Sequence, residues 1–81
     1  MKQIYIGLGY DPVDVVIDET KTVREAFRKA GKENLLATKY TVNFAKNGGA
    51  GAVIRDFDVT LASLDVEDGD GFLASENLKS A

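Results

Sequence analysis

Residues Thr22 to Gly31, Thr-Val-Arg-Glu-Ala-Phe-Arg-Lys-Ala-Gly, constrain the fold of this chain more than any other stretch. Thr22 followed three residues later by Glu25 is a capping-box pair, and Gly31 supplies a left-handed stop. Between them Val23, Ala26, Phe27 and Ala30 recur at i, i+3, i+4 and i+7, which lays one apolar stripe along a short helix. A helix this short is marginal alone in water and needs a surface to lie on. The rest of the chain must therefore supply a sheet.

The flanking segments read as strands. Lys2 to Leu8 alternates, with Ile4, Ile6 and Leu8 on one side and Gln3, Tyr5 and Gly7 on the other. Val13, Val15 and Ile17 alternate against Asp14, Val16 and Asp18, and the intervening Gly9-Tyr10-Asp11-Pro12 reads as the turn of a hairpin. After the helix, Leu35 and Leu36 are expected to tuck under the sheet edge in an extra helical turn. Tyr40 to Phe44 is a third strand with Tyr40, Val42 and Phe44 on one face, and Asn47 to Gly51 is a turn into a short strand, Ala52 to Ile54. Leu61, Leu64 and Val66 are spaced for a loop or 3₁₀ turn. Asp68-Gly69-Asp70-Gly71 then turns into a last strand, Phe72 to Ser75. The expected architecture is α+β: a mixed sheet of four to five strands with one helix packed across one face. It forms one domain over residues 1–75, and 76–81 is read as a flexible C-terminal tail.

Composition removes most chemistry. With 81 residues, 44% hydrophobic and 28% charged, there is material for one modest core and no room for a cofactor cavity beside it. The chain has no cysteine and no histidine, which excludes disulfides, thiolate metal sites, a thiol nucleophile and an imidazole base. Ser63, Ser75 and Ser80 have no base to activate them, so neither enzyme activity nor a cofactor or metal is expected. Gly7-Leu8-Gly9 is no dinucleotide loop, because Pro12 stands where a third glycine is needed and no crossover helix follows. Gly48-Gly49-Ala50-Gly51 lacks the Lys-Ser/Thr of a phosphate loop. The run Asp65, Glu67, Asp68, Asp70 fails the calcium-loop pattern: with Gly71 at the loop glycine, Val66 takes the first position and Asn77 the last. These carboxylates read as solvated groups at a turn.

The net charge of −3 leaves too little positive charge for nucleic-acid binding. Basic residues gather between Lys21 and Arg55 and acidic ones toward both ends, which sets a basic helix face of Arg24, Arg28 and Lys32 against an acidic C-terminal rim. No apolar run approaches the ~20 residues of a membrane span, and the sequence opens on a strand pattern and not a signal peptide. A cysteine-free small domain fits a cytoplasmic setting.

Four pieces, in order, resemble the ubiquitin-like β-grasp family over about Lys2 to Ser75. The opening strand Lys2-Gln3-Ile4-Tyr5-Ile6 is similar in alternation and type. Asp18-Glu19-Thr20-Lys21-Thr22-Val23 resembles the family's acidic turn and Thr-Val/Ile helix start, and Val42-Asn43-Phe44-Ala45-Lys46 its third strand ending in Phe-Ala. Thr60-Leu61-Ala62-Ser63-Leu64-Asp65-Val66-Glu67-Asp68-Gly69-Asp70 resembles the approach to the last strand in ubiquitin-like domains and related sulfur carriers. The resemblance implies a β-grasp. The family's conjugated modifiers and sulfur carriers act through a C-terminal Gly-Gly, whereas the sequence here runs Asn77-Leu78-Lys79-Ser80-Ala81.

One helix covers one face of such a sheet and leaves the other open. Tyr5, Val16 and Leu73 supply apolar groups there, with Asn43 in place of an aliphatic residue on the third strand; these four are the candidate protein-binding residues. The expected function is a non-enzymatic protein-binding module acting through a surface of the sheet or helix, as a monomer or weak homodimer. The alternatives are a degenerate or processed ubiquitin-like modifier or sulfur-carrier-type protein, and a small inhibitor from a mobile element that blocks a partner protein.

Overall fold

The structure, a computed structural model, describes residues 1–47, 49 and 51–77. Strand β1 (Lys2–Leu8) turns into β2 (Asp11–Ile17), helix α1 spans Val23–Lys29, and a 3₁₀ turn at Glu33–Leu36 leads to β3 (Tyr40–Ala45). Strand β4 (Ala52–Ile54), a second 3₁₀ turn at Ala62–Leu64 and β5 (Gly71–Glu76) complete the fold. The strands form one sheet in the order β2-β1-β5-β3-β4. The central pair β1–β5 is parallel and the other neighbours are antiparallel. Helix α1 lies across one face, so the α+β, β-grasp-like architecture read from the sequence is the one observed.

The helix ends are built as the residue types require. The Thr22 hydroxyl accepts the Glu25 N–H at 3.1 Å, and the Glu25 carboxylate accepts the Thr22 N–H at 3.1 Å. The next two orphan amides are met by a distant loop: Val23 N–H donates to the Val59 carbonyl and Arg24 N–H to that of Phe57. At the other end Gly31, at φ 72°, allows a Schellman closure in which Lys32 N–H reaches the Phe27 carbonyl and Gly31 N–H that of Arg28. Thr22→Ala removes one side of the capping box and is expected to cost about 1 kcal/mol, measured by urea denaturation.

The core lies between α1 and the inward residues of the sheet. Ile4, Ile6, Ile17, Val23, Ala26, Phe27, Val42, Phe44, Phe72 and Ala74 are buried there; Val15, on an edge strand, is half-buried. Leu35 is buried by the 3₁₀ turn after the helix, while Leu61 and Val66 close the core beneath the long loop before β5. Phe27 meets Phe72 edge-on at 6.3 Å between ring centroids, and Phe72 stacks on Phe44 at 5.0 Å.

Two boundaries differ from the sequence reading. The first hairpin turns on Gly9-Tyr10 alone, and Asp11 and Pro12 belong to β2, opposite Leu8 and Gly7. Proline is tolerated because β2 is an edge strand, where a missing N–H breaks no ladder bond. Gly7 completes the pairing: a Cβ there would lie 2.7 Å from the Asp11 carbonyl oxygen and 2.9 Å from Pro12 Cα. At the other end, Glu76 still belongs to β5, opposite Tyr40, and the Asn77 N–H donates to the Lys39 carbonyl at 2.7 Å. Strand pairing therefore runs one residue past Ser75, and residues 78–81 of the expected tail lie outside the described residues.

Candidate functional site

Register decides which side chains share the open face. Paired residues point the same way, so the face away from α1 carries Gln3, Tyr5 and Gly7 of β1 and Pro12, Asp14 and Val16 of β2. Gly71, Leu73 and Ser75 of β5, Thr41, Asn43 and Ala45 of β3, and Val53 of β4 complete it. Leu73 is directly opposite Asn43, which in turn is opposite Val53. Tyr5 is opposite Gly71, and a Cβ on Gly71 would run into the Tyr5 ring, so that ring lies flat over the glycine. Gly7, Gly71 and Ala45, the neighbour of Gly71 in register, are buried on this face, and Tyr5, Thr41, Asn43 and Leu73 are half-buried.

The four candidates from the sequence all lie on this face. Leu73 and Asn43 are side by side, and Tyr5 lies between the levels of Leu73 and Val16, two residues along the strands from each. Val16, 47% exposed, is opposite Gln3 near the end of β2, whereas Leu73 is level with Pro12. Four residues along a strand separate the two levels by about 13 Å. Val53, 46% exposed, belongs beside Asn43 and was not singled out from the sequence. Its place depends on which residues of β4 pair with β3, and a three-residue strand carries no alternation to show it.

Beside Leu73 the face falls into a groove of about 530 Å³ at the end of the sheet. Leu8, Tyr10, Tyr40, Asn43, Leu73 and Glu76 are among its lining residues; Leu8, Tyr40 and Glu76 belong by register to the helix side, so the groove lies at the sheet's end and not on the open face alone. It forms because the β1–β5 pairing stops at Leu8 and Ala74 while β5 continues to Glu76 beside β3. Tyr10 is 85% exposed at the hairpin tip.

The basic helix face is partly neutralised. Arg24 Nε lies 2.9 Å from the Asp58 carboxylate and Arg28 lies 3.0 Å from that of Glu33. The guanidinium groups of Arg24 and Arg28, donating to them, hold the Asp58 and Glu33 carboxyls below the usual range. The Lys29 ammonium donates to the Val16 carbonyl on the edge strand.

The acidic turn before β5 corrects the sequence reading. Asp70 is not a solvated rim group: it is 0% exposed. Its carboxylate accepts the backbone N–H of Glu67 and of Asn47, each at 2.9 Å, and faces the Lys46 ammonium at 3.1 Å. Lys46 also reaches Glu67 at 3.3 Å and the Asp65 carbonyl at 2.8 Å. Asp68 accepts the Gln3 N–H at 2.8 Å. The cluster is a clasp between the end of β3 and the entry to β5. Among the described residues no group of three or more acidic side chains is placed to hold a metal ion, and no helix is long and apolar enough to cross a membrane. The Ser63 hydroxyl donates to the Thr60 carbonyl at 2.6 Å, a turn contact with no base beside it.

Comparison with known proteins finds no family model that matches this chain and no curated protein that matches it.

Proposed function

We propose that the protein is a non-enzymatic binding module of the ubiquitin-like kind, a cytoplasmic monomer or weak homodimer that holds another protein on the open face of its sheet. The observation that carries this reading is the sheet face that the helix leaves uncovered, with half-buried Tyr5, Asn43 and Leu73 and exposed Val53 on it and a groove beside Leu73. A rigid sheet presents it, with both the Tyr5 ring and the Leu73 side chain on central strands, which suits a pre-organised contact. The strand order β2-β1-β5-β3-β4 with a helix crossover supports the ubiquitin-like reading. The lack of histidine and cysteine favours occupancy over chemistry as the activity.

The test is a pull-down from the source cell to identify the partner, followed by titration of the purified partner. Leu73→Asp is expected to weaken binding by at least about 30-fold, the equivalent of ~2 kcal/mol at a hot spot. Tyr5→Ala weakens it similarly, with some loss of stability because the ring covers Gly71. Val16→Asp, on the same face but about 13 Å away in strand level, leaves it nearly unchanged. Normal binding by Leu73→Asp, with the fold intact by circular dichroism, overturns the open-face site.

A further inference from the structure

The sheet has two edge strands, β2 and β4, and they are finished differently. The Lys29 ammonium donates to the Val16 carbonyl, so Pro12, Asp14 and Val16 are the residues of β2 whose backbone groups face outward. Each is guarded: Pro12 has no N–H, Asp14 carries an exposed charge, and the Val16 carbonyl is taken by Lys29. On the far side of the sheet the Asn77 N–H donates to the Lys39 carbonyl, which turns the backbone groups of Thr41 and Asn43 toward β5. Val53, opposite Asn43, therefore directs its own N–H and C=O away from β3, and neither has a hydrogen-bond partner among the described residues. The strand Ala52-Val53-Ile54 has no proline and no charge, and Val53 is 46% exposed.

We propose that β4 pairs with the β4 of a second copy of this chain, antiparallel about a two-fold axis at Val53. The two Val53 residues then exchange both backbone hydrogen bonds, Ala52 is opposite Ile54 of the second copy, and Arg55 is opposite its Gly51. The strand is its own complement. Val53 meets an uncharged side chain, each Arg55 is set over a glycine, and the two Arg55 residues are four levels apart along the strands. That separation is about 13 Å, beyond the screening length of about 8 Å at physiological salt. The same operation on β2 sets Asp14 against Asp14 and Pro12 against the occupied Val16 carbonyl. One free edge and one guarded edge close the assembly at two copies, with both open faces on one side of a continuous sheet. A three-residue strand makes the pairing weak and concentration-dependent. It does not depend on what the open face binds.

The test is sedimentation of the full chain between about 10 μM and about 1 mM, where the mass is expected to rise from monomer toward dimer with no larger species. Val53→Lys and Val53→Glu, each checked for an intact fold by circular dichroism, set like charges opposite each other at the axis. Each is expected to weaken self-association about fivefold or more. Mixing the two variants is expected to restore association, because opposite charges then meet across the axis, and high salt weakens the mixed pair. Val53→Pro, whose missing N–H costs no bond to β3, is expected to weaken association to a similar degree. A chain that stays monomeric to about 1 mM leaves the edge to a foreign strand and overturns the proposal. Self-association unchanged in Val53→Lys, or not restored on mixing, overturns it as well, since either result moves the contact away from the axis at Val53. Growth beyond a dimer overturns the closure at two copies. The Leu73→Asp measurement on the native partner is independent of all these outcomes.

Discussion

Replacing Phe27 by alanine is expected to destabilise the domain by about 3–5 kcal/mol, the range for deleting a fully enclosed aromatic ring. Phe27 is 0% exposed, projects from the middle of α1, and meets the edge of Phe72, which itself stacks on Phe44. Three rings thereby join the only α-helix among the described residues to the two strands that run side by side beneath it, β5 and β3. Removing the first ring leaves a void that a seven-residue helix cannot collapse into without giving up its capping box or its contacts with the loop at Phe57–Val59. A chain of this size has a total stability of roughly 4–12 kcal/mol. The substitution therefore takes a large share and lowers the thermal midpoint by roughly 15–30 °C. Phe27→Leu, which keeps most of the volume, provides a variant that remains folded, at a cost of about 1–2 kcal/mol. Val53→Ala on the open face should stay within about 0.5 kcal/mol of the parent. A loss below about 1 kcal/mol for Phe27→Ala in urea denaturation would contradict the central position of that ring.

What could be read in advance follows from the range of each signal. The helix was legible because its cap, stripe and stop lie within ten consecutive residues, and all three are realised at Thr22–Glu25, Val23–Phe27 and Gly31. Strand faces were legible where alternation ran for several residues, as in β1 and β3, and this placed Tyr5, Asn43 and Leu73 together. The first turn was read too long because proline marks a turn locally, whereas its acceptability in β2 depends on that strand being at the sheet edge. Val16 and Leu73 share a face but lie four residues apart in strand level, a stagger that alternation alone does not reveal. Tyr10 and Val53 were missed for the same kind of reason: their importance comes from where β1 stops pairing with β5 and which residue of β4 faces Asn43. The pairing of Arg24 with Asp58, 34 residues apart, left no trace in local sequence.

Asp70 is the sharpest case of a long-range determinant, and its removal is the second large effect. Asp70→Ala is expected to cost about 2–4 kcal/mol, since it leaves two backbone N–H groups, of Glu67 and Asn47, without their charged acceptor in a site closed to water. Asp70→Asn should cost less, because the amide oxygen still accepts one of the two bonds while its NH₂ faces the other donor. Lys46→Ala should cost about 1 kcal/mol or less, because the ammonium is 43% exposed and solvent screens its attraction. The pH dependence separates a buried carboxylate from a merely well-packed side chain. Burial pushes the Asp70 carboxyl up, but the Glu67 N–H, the Lys46 ammonium and the Asn47 N–H together outweigh it and hold the group below its ordinary value. A group whose folded value is depressed stabilises fully above its unfolded value, about 3.9 for aspartate, and loses that contribution as pH falls through the folded value. Asp18 and Glu25, held low by the N–H groups of Thr20 and Thr22, move in the same direction, but they are exposed and contribute little. The stability gap between the parent and Asp70→Asn should therefore be constant from about pH 8 to about pH 5 and shrink steadily below about pH 4. Denaturant titrations at a series of pH values measure it directly. A gap that persists unchanged into acid would mean that the Asp70 side chain acts by shape alone, and that its charge does not hold the end of β3 to the start of β5.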